Sequence, residues 1–359
     1  MPIGVVLNYW VSSIFYYVNY LWLESMSFQY NPTIICITPV KNEAWILDRF
    51  LKCASTWADH IIMADQGSTD GSLDIIQCYP KVKLVDAPCQ EFNMGKIRQS
   101  LLERARTIPG PRIIISLDAD ESLSANWKDS AEWDSIKAAK PGTILRFQWA
   151  NLMSDGESVW IPDTEIPMGF VDDGSFYEEV PIDEPRVPCS PNSPSLLLKD
   201  IRVLHYQYTD WRRMQSKQRW YQAWERLYHP NPRPVQIYRQ YHHMYHVKQS
   251  PKLSKWFKGY EEIGIDMSSV KQDGVYRWDR EILDLMTKNG LEPFRKLDIW
   301  QINWVKYARQ IEYPEPSQTF TDPRTPLEKW ILAWLQHSHI NSLQIKTRII
   351  QNLFRIFGW

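Results

Sequence analysis

Four short apolar runs divide the first third of the chain, and each one ends in a cluster of polar residues. They are Thr33-Ile-Ile-Cys-Ile-Thr38, His60-Ile-Ile-Met-Ala64, Lys81 to Val85, and the run from Arg112 with its three consecutive isoleucines. The isoleucine run predicts a strand buried on both faces, Thr33 to Thr38 a buried strand, and the other two short strands. Between them the apolar spacing becomes helical. Leu47, Phe50, Leu51 and Ala54 predict a helix with Asn42 as its N-cap, Asp70 is placed to cap a helix running through Cys78, and Ile97, Leu101 and Ala105 predict one over Gly95 to Arg106. Strand and helix alternating through short connections predict an α/β fold, a Rossmann-like, mostly parallel sheet flanked by helices.

The alternation stops after the fourth run. Thr143 to Trp149 reads as one further strand. Trp160 to Pro194 is rich in Pro, Gly and acids and predicts a loop-rich region with short strands. From Asp210 onward, Trp211, Gln215, Gln218 and Gln222 keep helical spacing, which predicts a helical C-terminal extension. The expected division is an aromatic N-terminal segment (1–31), a catalytic domain (32–210, with halves 32–121 and 122–210) and a helical region (211–359). No internal repeat is found.

Both ends of the chain raise the question of a membrane. No charged residue precedes Glu24, and Ile3 to Leu23 is long enough to span a bilayer, but Asn8, Ser12, Ser13 and Asn19 interrupt it and basic flanks are missing. A helix lying at an interface or packed on protein is the favoured reading of that segment. Near the C-terminus, Ile345, Ile349, Leu353, Phe354, Ile356 and Phe357 share one helical arc, with Arg348, Asn352 and Arg355 opposite and Lys346 within the arc. A basic amphipathic helix of this kind packs either on its own protein or on lipid. The expectation is a cytoplasmic protein with peripheral membrane contact.

The 359 residues, with a formal net charge of −1, 44% hydrophobic and 23% charged, describe a globular chain with ample core. Eighteen Trp and 18 Tyr exceed what a core needs, and such aromatics suit sugar faces, membrane interfaces and partner surfaces. The five cysteines are scattered without zinc-ligand spacing, and their odd number argues for a reducing compartment. Charge is unevenly distributed. Ser116 to Ser190 carries 16 acids against 5 Lys and Arg, a net of −11, and Lys199 to Tyr260 carries 13 Lys and Arg against 3 acids, a net of +10. A nucleic-acid partner is not expected, because the basic stretch has no recognisable binding module.

The fourth run ends in Asp118, Asp120 and Glu121. Ligands of open parallel sheets bind beyond the carboxyl ends of the strands, and two acids one residue apart there can hold a hard divalent cation together with a diphosphate. Solvated turn residues are the plain alternative.

Pro39-Val-Lys-Asn-Glu43, Asp65-Gln-Gly-Ser-Thr-Asp-Gly-Ser72, Gly95-Lys-Ile-Arg98 and Asp118-Ala-Asp120, in this order and each at a strand end or helix start, resemble the motifs of family 2 glycosyltransferases of the GT-A fold. The likeness is strong over about residues 33–121 and looser to about 221. It implies an inverting sugar transfer from a nucleotide-diphosphate sugar donor to a saccharide or lipid-linked acceptor, assisted by Mn²⁺ or Mg²⁺. Pro39, Glu43, Asp65, Arg98 and Asp118 would then hold the nucleotide sugar, and Asp118, Asp120 and His205 the metal. Where the family usually has Asp-Asp, this chain has Asp65-Gln66.

Inversion needs a general base on the acceptor side. Asp172, Asp173, Glu178, Glu179, Asp183 and Glu184 lie in the expected region, and Ile182-Asp-Glu-Pro185 resembles a His-Glu pair of bacterial polysaccharide and lipopolysaccharide-core transferases, which favours Glu184 with Asp183 beside it. Lys217, Arg219 and Tyr221 are candidates for neutralising the diphosphate. Two other functions compete, a nucleotidyltransferase and a non-catalytic carbohydrate-binding relative. The first usually has a Gly-rich basic loop after its first strand, where this chain has Pro39 to Glu43. The Asp118/Asp120 pair speaks against the second.

Overall fold

The computed structural model describes residues 31–86, 93–177, 185–229, 231–270, 274, 276–314 and 317–359. Its strands are β1 (Thr33–Val40), β2 (His60–Asp65), β3 (Val82–Asp86), β4 (Arg112–Ser116), β5 (Glu121–Leu123), β6 (Ile144–Phe147), β7 (Trp149–Leu152), β8 (Ser158–Trp160), β9 (Ile166–Val171), β10 (Ser195–Leu197), β11 (Val203–His205) and β12 (Gln249–Pro251). They belong to two compact units. Among the described residues, one comprises those within 31–148, 165–202 and 257–265, and the other those within 149–164, 203–256 and 266–359.

The first unit is built on a seven-stranded sheet of order β10-β6-β9-β4-β1-β2-β3. β1 runs parallel to β2 and β4, and β2 to β3, while β9 is antiparallel to both β4 and β6. The four runs therefore form the parallel part of the sheet, with β4, β1 and β2 inside it and β3 at its edge, where Leu84 is exposed rather than buried. Helices α1 (Leu47–Trp57), α2 (Ser72–Gln77), α3 (Met94–Arg106) and α4 (Ala131–Ala138) accompany it. α3 buries Ile97, Leu101 and Ala105 on Ile35, Ile37, Ile62 and Ile114 of the strands. Its N-cap, Asn93, accepts the Lys96 N–H at 3.0 Å.

Three local expectations need correction. Asn42 does not cap α1, whose N-cap is Ile46 with no side-chain bond. Nor is Asp70 the N-cap of α2. Gly71 takes that position with φ +89°, a left-handed backbone that glycine adopts without cost, and Asp70 accepts the Ser72 N–H and hydroxyl at 3.0 and 2.6 Å instead. The single strand expected over Thr143 to Trp149 is two. β6 ends at Phe147 and belongs to the first unit, whereas β7 begins at Trp149 in the second. The Gln148 carboxamide oxygen between them accepts from the Arg202 guanidinium, a fixed point at which the chain leaves the sheet.

In the second unit, β11, β7, β8 and β12 lie side by side in that order, with only the β11–β7 pair parallel. Helix α5 (Trp211–Tyr228) starts at Asp210, whose carboxylate accepts the N–H groups of Arg212 and Arg213 at 3.0 and 3.1 Å. Part of the aromatic excess is used here. Trp300, Trp304, Phe294 and Phe320 form a core with Ile282, Leu283 and Met286. Among the described residues no helix is long and apolar enough to cross a membrane, and residues 1–30 lie outside the described part.

Candidate active site at the carboxyl edge of the sheet

The parallel register sets Val40 of β1 beside Asp65 of β2, so the loops that follow these strands leave the sheet together. Four hydrogen bonds tie one loop to the other. The Asn42 N–H donates to Ser68 Oγ at 2.9 Å, the Thr69 N–H to Asn42 Oδ1 at 2.7 Å, the Glu43 N–H to Ser72 Oγ at 3.0 Å, and the Ala44 N–H to Asp70 Oδ2 at 2.9 Å. Asn42 takes a left-handed backbone, φ +56°, which Asn tolerates better than most side chains. Pro39 is buried near the end of β1, and the Glu43 carboxylate accepts the Trp45 indole N–H at 2.6 Å.

The two oxygens of Asp65 differ. Oδ2 accepts the N–H groups of Gly67 and Ser68, both at 3.0 Å, and shapes the turn, in which Gly67 has φ +79°. Oδ1 is buried and has no hydrogen-bond partner among the described residues. An unpaired buried acceptor costs about 1–3 kcal/mol, so this oxygen is poised to accept a donor from a bound molecule. Turn chemistry accounts for half of this carboxylate. Both Asp70 oxygens are used, Oδ1 in its own turn and Oδ2 in the tie to Ala44.

At the end of β4 a carboxylate lies between two arginines. Arg98, buried on α3, donates to Ser116 Oγ at 2.7 Å and to Asp118 Oδ1 at 3.0 Å. Arg186 donates to Asp118 Oδ2 at 2.9 Å and, through both terminal nitrogens, to the buried Glu121 carboxylate at 2.5 and 3.0 Å. Glu121 also accepts the Asp118 backbone N–H at 2.9 Å. Burial pulls the Arg186 guanidinium down, but Asp118 and Glu121 beside it outweigh this and hold it above its ordinary value. The Asp118 side chain keeps 36% of its surface exposed, and Asp120 is buried.

Arg98 and Asp118, named separately from sequence, are thus in direct contact. Arg186 was missed, although it follows Ile182-Asp-Glu-Pro185 immediately. A lone Arg after a Pro carries no pattern, and its partners are 65 and 68 residues away.

Asp118 and Asp120 offer hard oxygen donors of the kind a divalent cation prefers. With guanidinium groups on both Asp118 oxygens, a cation there would exchange with one of them. No cluster of three or more His, Cys, Asp or Glu suited to a metal occurs among the described residues. His205 belongs to the second unit, where its Nδ1 is 2.7 Å from Asn151 Oδ1 and its ring stacks on Trp149 at 5.1 Å.

Of the acceptor-side acids, Asp172 is enclosed by Arg106 and Arg112. Asp173 accepts from the backbone N–H and hydroxyl of Ser175. Glu178, Glu179, Asp183 and Glu184 lie outside the described residues. On α5, Arg219 makes a two-pronged pair with Asp279 at 3.0 and 2.9 Å and Tyr221 stacks on Tyr241, so these side chains serve packing of the second unit.

Residues 35–130 match the family model described as glycosyl transferase family 2, a range that holds all four motifs. Over this segment the chain is similar to glycosyl transferase family 2, the family that the motifs resemble. A comparison with curated proteins finds no significant match. Among solved structures, a 4-diphosphocytidyl-2C-methyl-D-erythritol synthase aligns with 13% identity and a TM-score of 0.25, over 40% of this chain and 72% of that one. A mannose-1-phosphate geranyltransferase from Thermus thermophilus aligns with 14% identity and a TM-score of 0.24, over 40% of this chain and half of that one.

Proposed function

We propose that the chain transfers a sugar, with inversion, from a nucleotide-diphosphate donor to an acceptor hydroxyl. The observation that carries the reading is the half-satisfied Asp65 carboxylate at the same sheet edge as Asp118 and its two arginines. Asp65 Oδ1 accepts from the nucleoside, and Pro39 and Glu43 shape the loop beside it. Arg98 and Arg186 supply positive charge where a diphosphate would lie.

In the transfer, the acceptor oxygen bonds to the anomeric carbon as the bond from that carbon to the diphosphate oxygen breaks. The nucleoside diphosphate leaves with the bonding electrons, and the hydroxyl proton passes to a carboxylate, for which Glu184, with Asp183 beside it, is the candidate carried by the family resemblance. A divalent cation, Mn²⁺ or Mg²⁺, would be held by Asp118 and Asp120 and, when bound, would stabilise charge on the leaving diphosphate. The acceptor would be a saccharide or lipid-linked sugar.

Incubation with a panel of nucleotide sugars tests the reading. Release of nucleoside diphosphate with a new glycoside is expected. Release of pyrophosphate from a nucleoside triphosphate and a sugar phosphate would make the protein a nucleotidyltransferase. Sugar binding with neither product would make it a carbohydrate-binding relative.

A further inference from the structure

The last two helices leave an apolar face uncovered. In the helix Ile345–Leu353 and the following turn Phe354–Phe357, only Thr347 and Phe354 are buried. Ile345, Ile349, Leu353, Ile356 and Phe357 are each more than half exposed, with Ile356 at 78%. Of the amphipathic arc read from the sequence, Phe354 packs into the core of its own unit and the other five side chains stay exposed. Trp330, on the helix Pro326–His337, extends the surface. It is 56% exposed, and its ring lies 6.2 Å from that of Phe354.

Charge selects the occupant. From Lys329 to Trp359 the chain has four Lys and Arg, at 329, 346, 348 and 355, and no Asp or Glu. Lys346, Arg348 and Arg355 are exposed on the same two turns as the apolar side chains. A second copy docking through a two-fold axis would set these cations against one another. The apolar N-terminal segment has no charged residue before Glu24 and so offers the cations nothing. A surface of anionic lipid satisfies both halves, because its acyl boundary accepts the apolar side chains and its phosphates the cations.

We propose that this face docks the protein on a bilayer rich in anionic lipid, with Ile345, Ile349, Leu353, Ile356 and Phe357 entering the acyl boundary and Lys346, Arg348 and Arg355 meeting the headgroup phosphates. The proposal is independent of the sugar-transfer reading.

The test is co-sedimentation of the full chain with phosphatidylglycerol/phosphatidylcholine vesicles at low ionic strength, with pure phosphatidylcholine as the control. Binding to the anionic vesicles alone is expected, weakening as salt is raised. Replacing Lys346, Arg348 and Arg355 by Gln should weaken it about fivefold per cation. Ile349→Ser with Ile356→Ser should weaken it by about tenfold or more at an unchanged thermal midpoint, since both side chains are already exposed. Protein remaining in the supernatant at low salt overturns the proposal. So does undiminished binding by both variants, which would move the contact to another part of the chain, and so does self-association in light scattering that the double Ser variant abolishes.

Discussion

Strand β4 has a carboxylate held between two arginines at each of its ends, and the two clusters differ in one respect. At the amino end, Asp172 meets Arg112, the first residue of the strand, and Arg106. Its Oδ1 takes the Arg106 Nε and Nη2 protons at 3.1 and 2.9 Å and the Gly174 N–H at 3.1 Å, its Oδ2 takes Arg112 Nε at 2.9 Å, and its side chain has no exposed surface. At the carboxyl end, Asp118 meets Arg98 and Arg186 with a third of its side chain open. The pairing chemistry is the same. A closed cluster can only hold the fold, whereas an open one at the ligand-binding edge of a parallel sheet can exchange a partner for a substrate.

Breaking the closed cluster should have the largest effect on stability. Asp172→Asn leaves two arginines facing a neutral amide, and a loss of about 3 kcal/mol is expected in denaturant unfolding, with specific activity of the remaining folded protein unchanged. If stability were unaffected, the contrast between the two clusters would collapse.

Breaking the open cluster should do the reverse. Asp118→Asn or Asp120→Asn is expected to reduce sugar transfer by about 10²- to 10³-fold while the unfolding midpoint shifts little, and chelation of the wild type should cause a similar loss that Mn²⁺ or Mg²⁺ restores. Full activity in both variants would remove Asp118 and Asp120 from the site.

A smaller effect is expected at Asp65. Asp65→Ala should weaken nucleotide-sugar binding in calorimetry by about 1–3 kcal/mol and slow the bound substrate less, because a contact to the nucleoside is made equally in ground and transition states.

The smallest effect is one of pH. Burial raises the Asp172 carboxyl, but Arg106, Arg112 and the Gly174 N–H outweigh it and hold it below the ordinary carboxylate range. A carboxyl depressed on folding contributes stability that is complete above its unfolded value, near 3.9, and is lost as pH falls through the folded value. The wild-type thermal midpoint should therefore fall more steeply with acid below about pH 4 than that of Asp172→Asn. Parallel curves would show that the closed cluster does not couple to protons.

Which parts of this could be read from the chain depended on how far apart the partners lie. β1, β2, β4 and α3 declare themselves through runs and spacings within a dozen residues, and the acids at the strand ends come with them. Asp118 and Arg98 were each legible from a family motif, but their contact across 20 residues was not. Arg186 was not, since nothing local distinguishes it. Asn42 was misjudged for a related reason. An Asn before a helical run looks like a cap, and only the register of β1 on β2 brings Ser68 and Thr69 within its reach. At the other end of the chain the amphipathic arc was plain, but periodicity does not say whether the apolar side of a helix meets protein or is left outside.

The cross-ties between the loops after β1 and β2 also bear on how a ligand would be received. A loop free to sample many conformations must give up that freedom when it closes on a nucleotide, and affinity falls by the entropy lost. Here Asn42, Ser68, Asp70 and Ser72 have already fixed the two loops to each other before anything binds. Most of the ordering is thus completed during folding, and a ligand that reached the Asp65 oxygen would meet a rigid frame.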